Sequence, residues 1–160
     1  MKVGKIVEAR LHPNANSLYI EKVDLGEDQS RTVISSLVNI IPLNELQGRK
    51  AIFVSNLKPQ KMRGVVSEAM IICVETKDKS QCELLEPPND AIPGDMVKVE
   101  GFEKSESTAA SSPLIKTKVF QTIAKDFMVN EDGQATYQNK IWQIHGKPCV
   151  AKSLRNTPIC

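Results

Sequence analysis

The side chains with the clearest chemistry lie in residues 55–70, which read SNLKPQKMRGVVSEAM. This stretch carries Lys58, Lys61 and Arg63, and no acidic residue occurs in residues 49–67. A proline and a glycine within it stiffen and turn the backbone. Apolar runs of strand length precede and follow it. A stiff cationic loop held between two strands is suited to gripping phosphate groups.

The net charge of +2 is unevenly distributed along the chain. Residues 49–63 hold five basic side chains and no acidic one, whereas residues 64–106 hold four basic and ten acidic side chains. A focused patch, rather than the total charge, attracts a polyanion. Charge alone leaves open the alternative that these lysines are ordinary solvated side chains.

The sequence offers little for catalysis, for a metal or for a cofactor. His12 and His145 lie in turn contexts, outside any nucleophile or metal-ligand motif. No glycine-rich phosphate loop is present. The four cysteines are widely spaced, namely Cys73, Cys82, Cys149 and Cys160. We therefore expect reduced thiols and predict no enzyme, no cofactor and no metal site.

Short apolar segments separated by turn residues must position the basic stretch. We predict strands over residues 2–9, 18–25, 31–35, 51–54, 70–74, 83–85 and 96–99. In the second strand, Leu18 and Ile20 are expected to face the core and Glu21 the solvent. One short helical turn is expected near residues 42–48. Short strands punctuated by glycine and proline favour a small closed barrel, which leaves no exposed edges.

The C-terminal third has a different pattern. Residues 104–113 are small and polar and are predicted to be a linker. An amphipathic helix is predicted from apolar residues at four-residue intervals, namely Ile115, Val119, Ile123 and Phe127. A hairpin over residues 135–144 follows. A segment as short as residues 114–160 buries little surface by itself. We therefore expect it to pack on the barrel formed by residues 1–103.

The composition narrows the class of ligand and the setting. Residues 1–103 contain few aromatic side chains, and Phe53 and Phe102 are expected in the core. A general single-strand binder needs aromatic platforms, so recognition of a folded RNA by shape and backbone is favoured. No run near 18 apolar residues and no signal peptide is seen, which predicts a soluble intracellular domain without membrane contact. The first strand begins almost at Met1, which suggests a piece of a longer chain.

The stretch 55–70 also resembles a known signature. Its SNLKP, KMRG, Ser67 and Ala69-Met70 elements are similar to those of tRNA-binding domains related to endothelial-monocyte-activating polypeptide II. Matching segments lie in the same order along the chain, namely residues 3–7, 12–19, 31–35, 87–89 and 92–95. Residues 114–160 resemble the extension of the eukaryotic members.

The resemblance implies a mainly β protein, a five-stranded oligonucleotide-binding (OB-fold) barrel with a C-terminal α+β extension. It implies non-catalytic tRNA binding without strong sequence preference, by a cytoplasmic domain appended to or associated with an aminoacyl-tRNA synthetase. The extension would mimic a dimer partner and leave the chain monomeric, with a pseudo-dimer interface between barrel and extension. Some animal relatives are cytokines, so a secreted signalling domain is the alternative function.

Motif positions in this family imply which residues contact tRNA. The implied residues are Asn56, Lys58, Lys61, Arg63, Ser67 and Met70, with Arg31 and Ser35 as further candidates. Structural roles stay open for three of them: Met70 begins an apolar strand, Ser67 could close the loop, and Asn56 could brace its own backbone. A buried structural role is rare for a loop lysine.

Overall fold

The computed structural model describes residues 1–101 and 114–160. The predicted linker 104–113, the boundary at residue 103 and Phe102 lie outside the described residues. The first part contains the helix α1 (Leu43–Leu46) and ten strands, namely β1 (Lys2–His12), β2 (Ala15–Asp24), β3 (Arg31–Ser35), β4 (Lys50–Val54), β5 (Gln60–Met62), β6 (Val65–Ser67), β7 (Met70–Ile71), β8 (Cys73–Glu75), β9 (Cys82–Leu84) and β10 (Lys98–Val99).

The second part contains one helix and five strands, namely α2 (Thr117–Ala124), β11 (Phe127–Val129), β12 (Ala135–Tyr137), β13 (Lys140–Ile144), β14 (Lys147–Pro148) and β15 (Thr157–Pro158). Antiparallel strands dominate both parts, and the predicted mainly β class is confirmed. Neither described helix is long and apolar enough to cross a membrane.

The first part is organised around one five-stranded antiparallel sheet of order β3-β2-β1-β4-β7. A two-residue turn at Pro13 and Asn14 joins β1 to β2, because these residues readily adopt turn conformations. The pairing of the described strands leaves this sheet open, so the closed barrel is not confirmed. β5 pairs with β6, and β8 pairs with β9, as two separate hairpins.

The strands of the second part lie in a separate sheet of order β10-β13-β12-β11-β15, with β14 also pairing with β13. Its first strand comes from the other part of the chain, because Lys98 and Val99 pair with Gln143 and Trp142. One hydrophobic cluster includes Val3 and Ile52 of the first part together with buried residues of the second part. The two parts therefore share a core.

The predicted helix is shorter and faces differently than expected. α2 ends at Ala124, and its buried residue is Phe120, whereas Val119 and Ile123 are 49% and 40% exposed. Phe127 lies in β11, where its ring meets that of Trp142 edge-on at a centroid distance of 4.9 Å. The four-residue spacing therefore did not mark a single buried face of a helix. Val119 and Ile123 face solvent, and Phe127 belongs to a strand, where it packs in an aromatic core.

The expected orientation of β2 is also wrong at one residue. Glu21, expected in solvent, is 0% exposed and lies opposite Ala9 of β1 and Val33 of β3, both of which are buried. The interior face of β2 instead carries Tyr19, Glu21 and Val23. Leu18 and Ile20 lie on the opposite face, where a second layer covers them. Leu18 and Ile20 are therefore buried as predicted, and because both faces of the strand are covered, the alternation did not reveal that Glu21 is buried as well.

Candidate nucleic-acid interface

Residues 60–67, which we call the cationic hairpin, are formed by β5 and β6. Met62 pairs with Val65, so Arg63 and Gly64 form a two-residue turn. Both turn residues have positive φ angles, 51° and 89°, as a type I′ hairpin turn requires. Glycine takes such angles at little cost, and Arg63 adopts one although it is not glycine. The hairpin raises Arg63 to the tip of the stretch.

The inner side of the cationic hairpin is apolar and packs on the sheet. Met62 and Val65 pack against a small cluster formed by Leu18, Ile20 and Ile34 on the outer face of β2 and β3. Because successive strand residues alternate sides, the neighbouring Lys61 projects away from the sheet. Packing on one side therefore fixes the cations on the other.

Polar contacts tie the hairpin to β3 and to the end of β1. The Ser67 hydroxyl accepts a hydrogen bond from the Ile34 amide at 3.0 Å and donates one to the Ala69 carbonyl. His12 is 3% exposed; its Nδ1 accepts from the Asn14 amide at 3.0 Å, so Nε2 donates to the Met62 carbonyl at 3.2 Å. His12 is thus an anchor of the hairpin, a role that its turn context did not reveal.

Arg31 clamps the two ends of the basic stretch together. Its guanidinium donates to the Ser55 carbonyl at 2.5 Å and to the Glu68 carbonyl at 3.2 Å. The same group makes a two-point ion pair with Glu27, both hydrogen bonds being 2.7 Å long. Its charge is therefore neutralised within the protein, and its donors hold the loop. This geometry gives Arg31 a positioning role.

Ser35 is buried and its hydroxyl points inward. It donates to the Glu21 carboxylate oxygen Oε1 at 2.5 Å. The other oxygen, Oε2, has no hydrogen-bond partner among the described residues. Burial raises the pKa of Glu21 to about 7, against the opposing effect of the Ser35 hydrogen bond. Ser35 therefore serves an interior carboxyl group.

The five cations of residues 49–63 divide into two groups. Arg49 pairs with Glu86 at 3.3 Å, and Lys50 donates to the carbonyls of residues 89 and 91 at 2.8 and 2.9 Å. Lys58, Lys61 and Arg63 are exposed, and none of them forms an ion pair with another described side chain. These three remain available to an external anion.

The second part of the chain reaches the same surface. The Ile115 amide donates to the Asn56 carbonyl at 2.8 Å, and the Lys58 amide donates to the Ile115 carbonyl at 3.0 Å. Leu57 and Ile115 form a parallel bridge in which both side chains pack into the core. Lys58 and Lys116, one residue further on, therefore face outward side by side.

Lys116 and its helical neighbour Lys118 were not assigned to the interface from the sequence. Both are exposed. Their proximity to the hairpin depends on contacts between residues about 58 positions apart, such as Gln60 Nε2 to Thr117 Oγ1 at 2.6 Å. No local pattern signals such a contact.

The structure thus sorts the eight candidate residues by their surroundings. Lys58, Lys61 and Arg63 are exposed at the surface of the hairpin and its approach. Asn56 and Met70 are half-buried beside them. The remaining three are engaged inside the protein: Arg31 and Ser67 hold the basic stretch, and Ser35 bonds to the interior Glu21.

Fold and site together define a mainly β domain that displays an anchored cationic hairpin. Residues 1–96 match the family model described as "Putative tRNA binding domain", and the chain belongs to this family. The resemblance inferred from the motifs is therefore confirmed.

Curated relatives align over nearly the whole chain. The chain is 41% identical over 160 residues to aminoacyl tRNA synthase complex-interacting multifunctional protein 1 of Mus musculus, covering 99% of the chain and 50% of that protein. It is 43% identical to the cytoplasmic tyrosine–tRNA ligase of Gallus gallus, covering 99% of the chain and 30% of the ligase. The chain thus spans half or less of these relatives.

Two solved structures resemble the fold over different shares of the chain. The C-terminal domain of Plasmodium vivax p43 superposes with a TM-score of 0.88 at 27% identity, covering 99% of this chain and 94% of that one. A MetRS-related protein from Pyrococcus horikoshii gives a TM-score of 0.54 at 38% identity, covering 58% of this chain and 84% of that one. The p43 domain therefore shares both parts of the present fold.

Proposed function

We propose that this chain is a non-catalytic tRNA-binding domain that serves an aminoacyl-tRNA synthetase to which it is linked or bound. The observation that carries the proposal is the set of exposed cations Lys58, Lys61 and Arg63, which form no ion pair with a described side chain and lie on, or just before, a hairpin anchored to the sheet. The family match and the synthetase names of the relatives support tRNA as the polyanion and favour it over the signalling alternative.

The residues of the site act in two ways in this proposal. Lys58, Lys61 and Arg63 contact phosphates, because their exposed cationic groups can form charge-assisted hydrogen bonds with phosphate oxygens. Asn56 and Met70 border the contact from half-buried positions. Ser67 and Arg31 fix the hairpin and its flanking segments in the orientation that binding requires, and Ser35 supports the sheet beneath them through its bond to Glu21.

In this proposal the domain retains tRNA and catalyses no reaction. Phosphate contacts give affinity without reading base sequence, so one domain can hold many tRNAs. A domain tethered to a catalytic unit raises the concentration of tRNA near that unit, and its affinity can then be modest. The cytoplasmic names of the ligase relatives support the cytoplasm as the location.

We further propose that residues 1–103 form a closed OB-fold barrel and that residues 114–160 cover it as a pseudo-dimer partner, which leaves the chain monomeric. The shared hydrophobic cluster and the pairing of Lys98 and Val99 with β13 support a permanent contact between the parts. Light scattering tests this proposal: a single mass near 17.7 kDa is expected, and a stable dimer would contradict it.

The function is tested by titrating the protein with tRNA, with a duplex RNA and with single-stranded DNA at several salt concentrations. We expect tRNA to bind most tightly, with an affinity that falls with salt. Three phosphate contacts correspond to a slope of about −2 to −3 in a plot of log affinity against log salt concentration. Equal affinity for tRNA and single-stranded DNA would contradict recognition of a folded RNA, and absence of tRNA binding would contradict the function itself.

A further inference from the structure

An apolar cavity opens beside the cationic hairpin. Its volume is about 360 Å³, at the small end of the range of small-molecule sites. Its walls come from β3 and the residues just after it, from the segment that leads into the hairpin, from the strands β5 to β9, and from Thr117 and Cys160. The main apolar lining residues are Ile34, Leu37, Leu57, Met62, Met70 and Ile71.

Most polar groups in the lining already have partners inside the protein. The Ser35 hydroxyl donates to a buried carboxylate, and the Ser67 hydroxyl bonds to main-chain groups at both ends. The amide nitrogen of Gln60 donates to Thr117. The inner part of the cavity therefore offers few polar contacts to a ligand.

The mouth of the cavity has a different character. Lys58 and Ser36 line the cavity and are exposed, so they lie at its opening. The Lys58 ammonium forms no ion pair with a described residue, and Lys116 faces outward next to it. Glu75, on β8, is the acidic residue of the lining. An apolar interior with cations along one edge of its opening matches a ligand with a weakly polar body and an anionic end.

We propose that this cavity receives one unstacked nucleobase of the bound RNA, while Lys58 and Lys116 hold the adjoining phosphate. The proposal rests on the proposed function and adds a second mode of contact to it. Folded RNAs present unstacked bases in loops and at ends, and these are the bases that proteins insert into pockets. The polarizable side chains of Met62 and Met70 supply contact surface for the base in place of aromatic rings.

The methionine methyl groups report directly on the cavity. Met62 and Met70 line it, whereas Met96 is exposed and Met128 is half-buried, and neither of these lines it. In protein with ¹³C-labelled methionine methyl groups, saturating tRNA is expected to shift the Met62 and Met70 signals and to leave Met96 and Met128 unchanged. Unchanged Met62 and Met70 signals in a tRNA-saturated complex would overturn the inference and leave the proposed function intact.

A variant that obstructs the mouth gives an independent readout. Ser36→Trp places a large side chain at an exposed lining position, and Asn44→Trp makes the same change at an exposed position of α1 outside the cavity. We expect Ser36→Trp to weaken tRNA binding three- to tenfold with an unchanged salt slope, because the phosphate contacts persist. Asn44→Trp is expected to bind like the wild type.

Three results would overturn the inference at this step. Wild-type affinity in a folded Ser36→Trp protein would show that the cavity is not used by RNA. An apolar peptide that shifts the Met70 signal, where tRNA does not, would assign the cavity to a protein segment instead. Loss of tRNA binding in both tryptophan variants would point to a general surface effect and would also contradict the inference.

Discussion

The two faces of β2 hold ionic side chains in opposite circumstances. Glu21 points inward, is 0% exposed and has one oxygen without a partner in the described structure. On the outer face, Lys22 is solvated, and the hairpin that covers Leu18 and Ile20 presents Lys61. An interior carboxyl resists ionisation, because burial disfavours its charged form. A charge intended for a ligand must therefore be carried on an outer layer such as the hairpin.

The largest effect is expected from Glu21→Gln, which removes the interior charge and keeps the shape. The pKa of Glu21 is about 7 in the folded protein, against an ordinary value of 4.5. Between these values the folded state holds a proton that the unfolded state lacks, so stability falls as the pH rises through this window. The loss is complete above pH 7 and is on the order of 3 kcal/mol.

Urea unfolding at pH 5 and pH 8 measures this difference. The Glu21→Gln protein is expected to exceed the wild type in stability at pH 8 and to approach it near pH 5. Glu8→Gln, at an exposed position of β1, is the control and should keep the wild-type dependence on pH. A Glu21→Gln protein with the wild-type pH dependence would show that the interior carboxyl is not the cause.

The next largest effect concerns the outer layer. Replacing both Lys61 and Arg63 by Ala removes two exposed cations that form no ion pair with a described residue. We expect tRNA affinity to fall about tenfold near 0.1 M salt and the salt slope to decrease by about 1.4–1.8, since two phosphate contacts are lost. Isothermal titration over a series of salt concentrations measures both quantities.

Arg49 and Lys50 provide the matched control, because they belong to the same basic stretch but already have partners. Their double replacement by Ala removes the same charge. It is expected to lower stability by about 1–2 kcal/mol through lost hydrogen bonds and to leave the salt slope near the wild-type value. An equal decrease of the slope in both double variants would mean that total charge, and not the hairpin, determines binding.

The sequence predicted the exposed cations of this site better than the internal contacts that hold them in place. β3 was predicted at its observed bounds, and the exposed cations were identified, because strand propensity and charge are local properties. Whether Arg49 is paired depends on Glu86, 37 residues away, so the basic stretch looked uniform. The clamp by Arg31 and the anchor by His12 likewise depend on main-chain carbonyls that lie 24 and 50 residues away in the sequence.

The interior was misjudged for a related reason. Alternation shows that the two faces of a strand differ, but it does not show which face is inside when a second layer covers the outer one. Glu21 was therefore wrongly assigned to solvent, whereas Leu18 and Ile20 are buried as predicted, but in the outer layer beneath the hairpin. The same problem affected α2, where Val119 and Ile123 form an apolar pair that the fold leaves exposed.

A smaller effect is expected from Arg31→Met, which keeps most of the stem and removes the donors. Without the clamp on the carbonyls of residues 55 and 68, stability should fall by about 1 kcal/mol. Hydrogen exchange at the Glu68 amide, which donates to the Thr32 carbonyl, should become faster. We expect tRNA affinity to fall only a few-fold with an unchanged salt slope, since Glu27 already neutralises this arginine.

The outcome that contradicts the positioning role of Arg31 is a change in salt slope. A decrease near one unit would make Arg31 a direct phosphate contact, as the family motif implies. Arg31→Lys separates the two roles further: it preserves the charge but not the two-point geometry, so it should retain the wild-type slope and still speed exchange at Glu68.

The smallest effect is expected from Lys22→Ala, one residue from Glu21 on the opposite face of β2. Lys22 lies 3.9 Å from Glu8, and the two side chains are 63% and 59% exposed. Water screens such a pair, so stability should change by no more than about 0.5 kcal/mol, and the tRNA salt slope should stay unchanged. A slope reduced by nearly one unit would show that any outer-face cation contributes to binding. The hairpin would then be one part of a diffuse basic surface. Exposure on the outer face of β2, and not a position on the hairpin, would decide which cations bind tRNA.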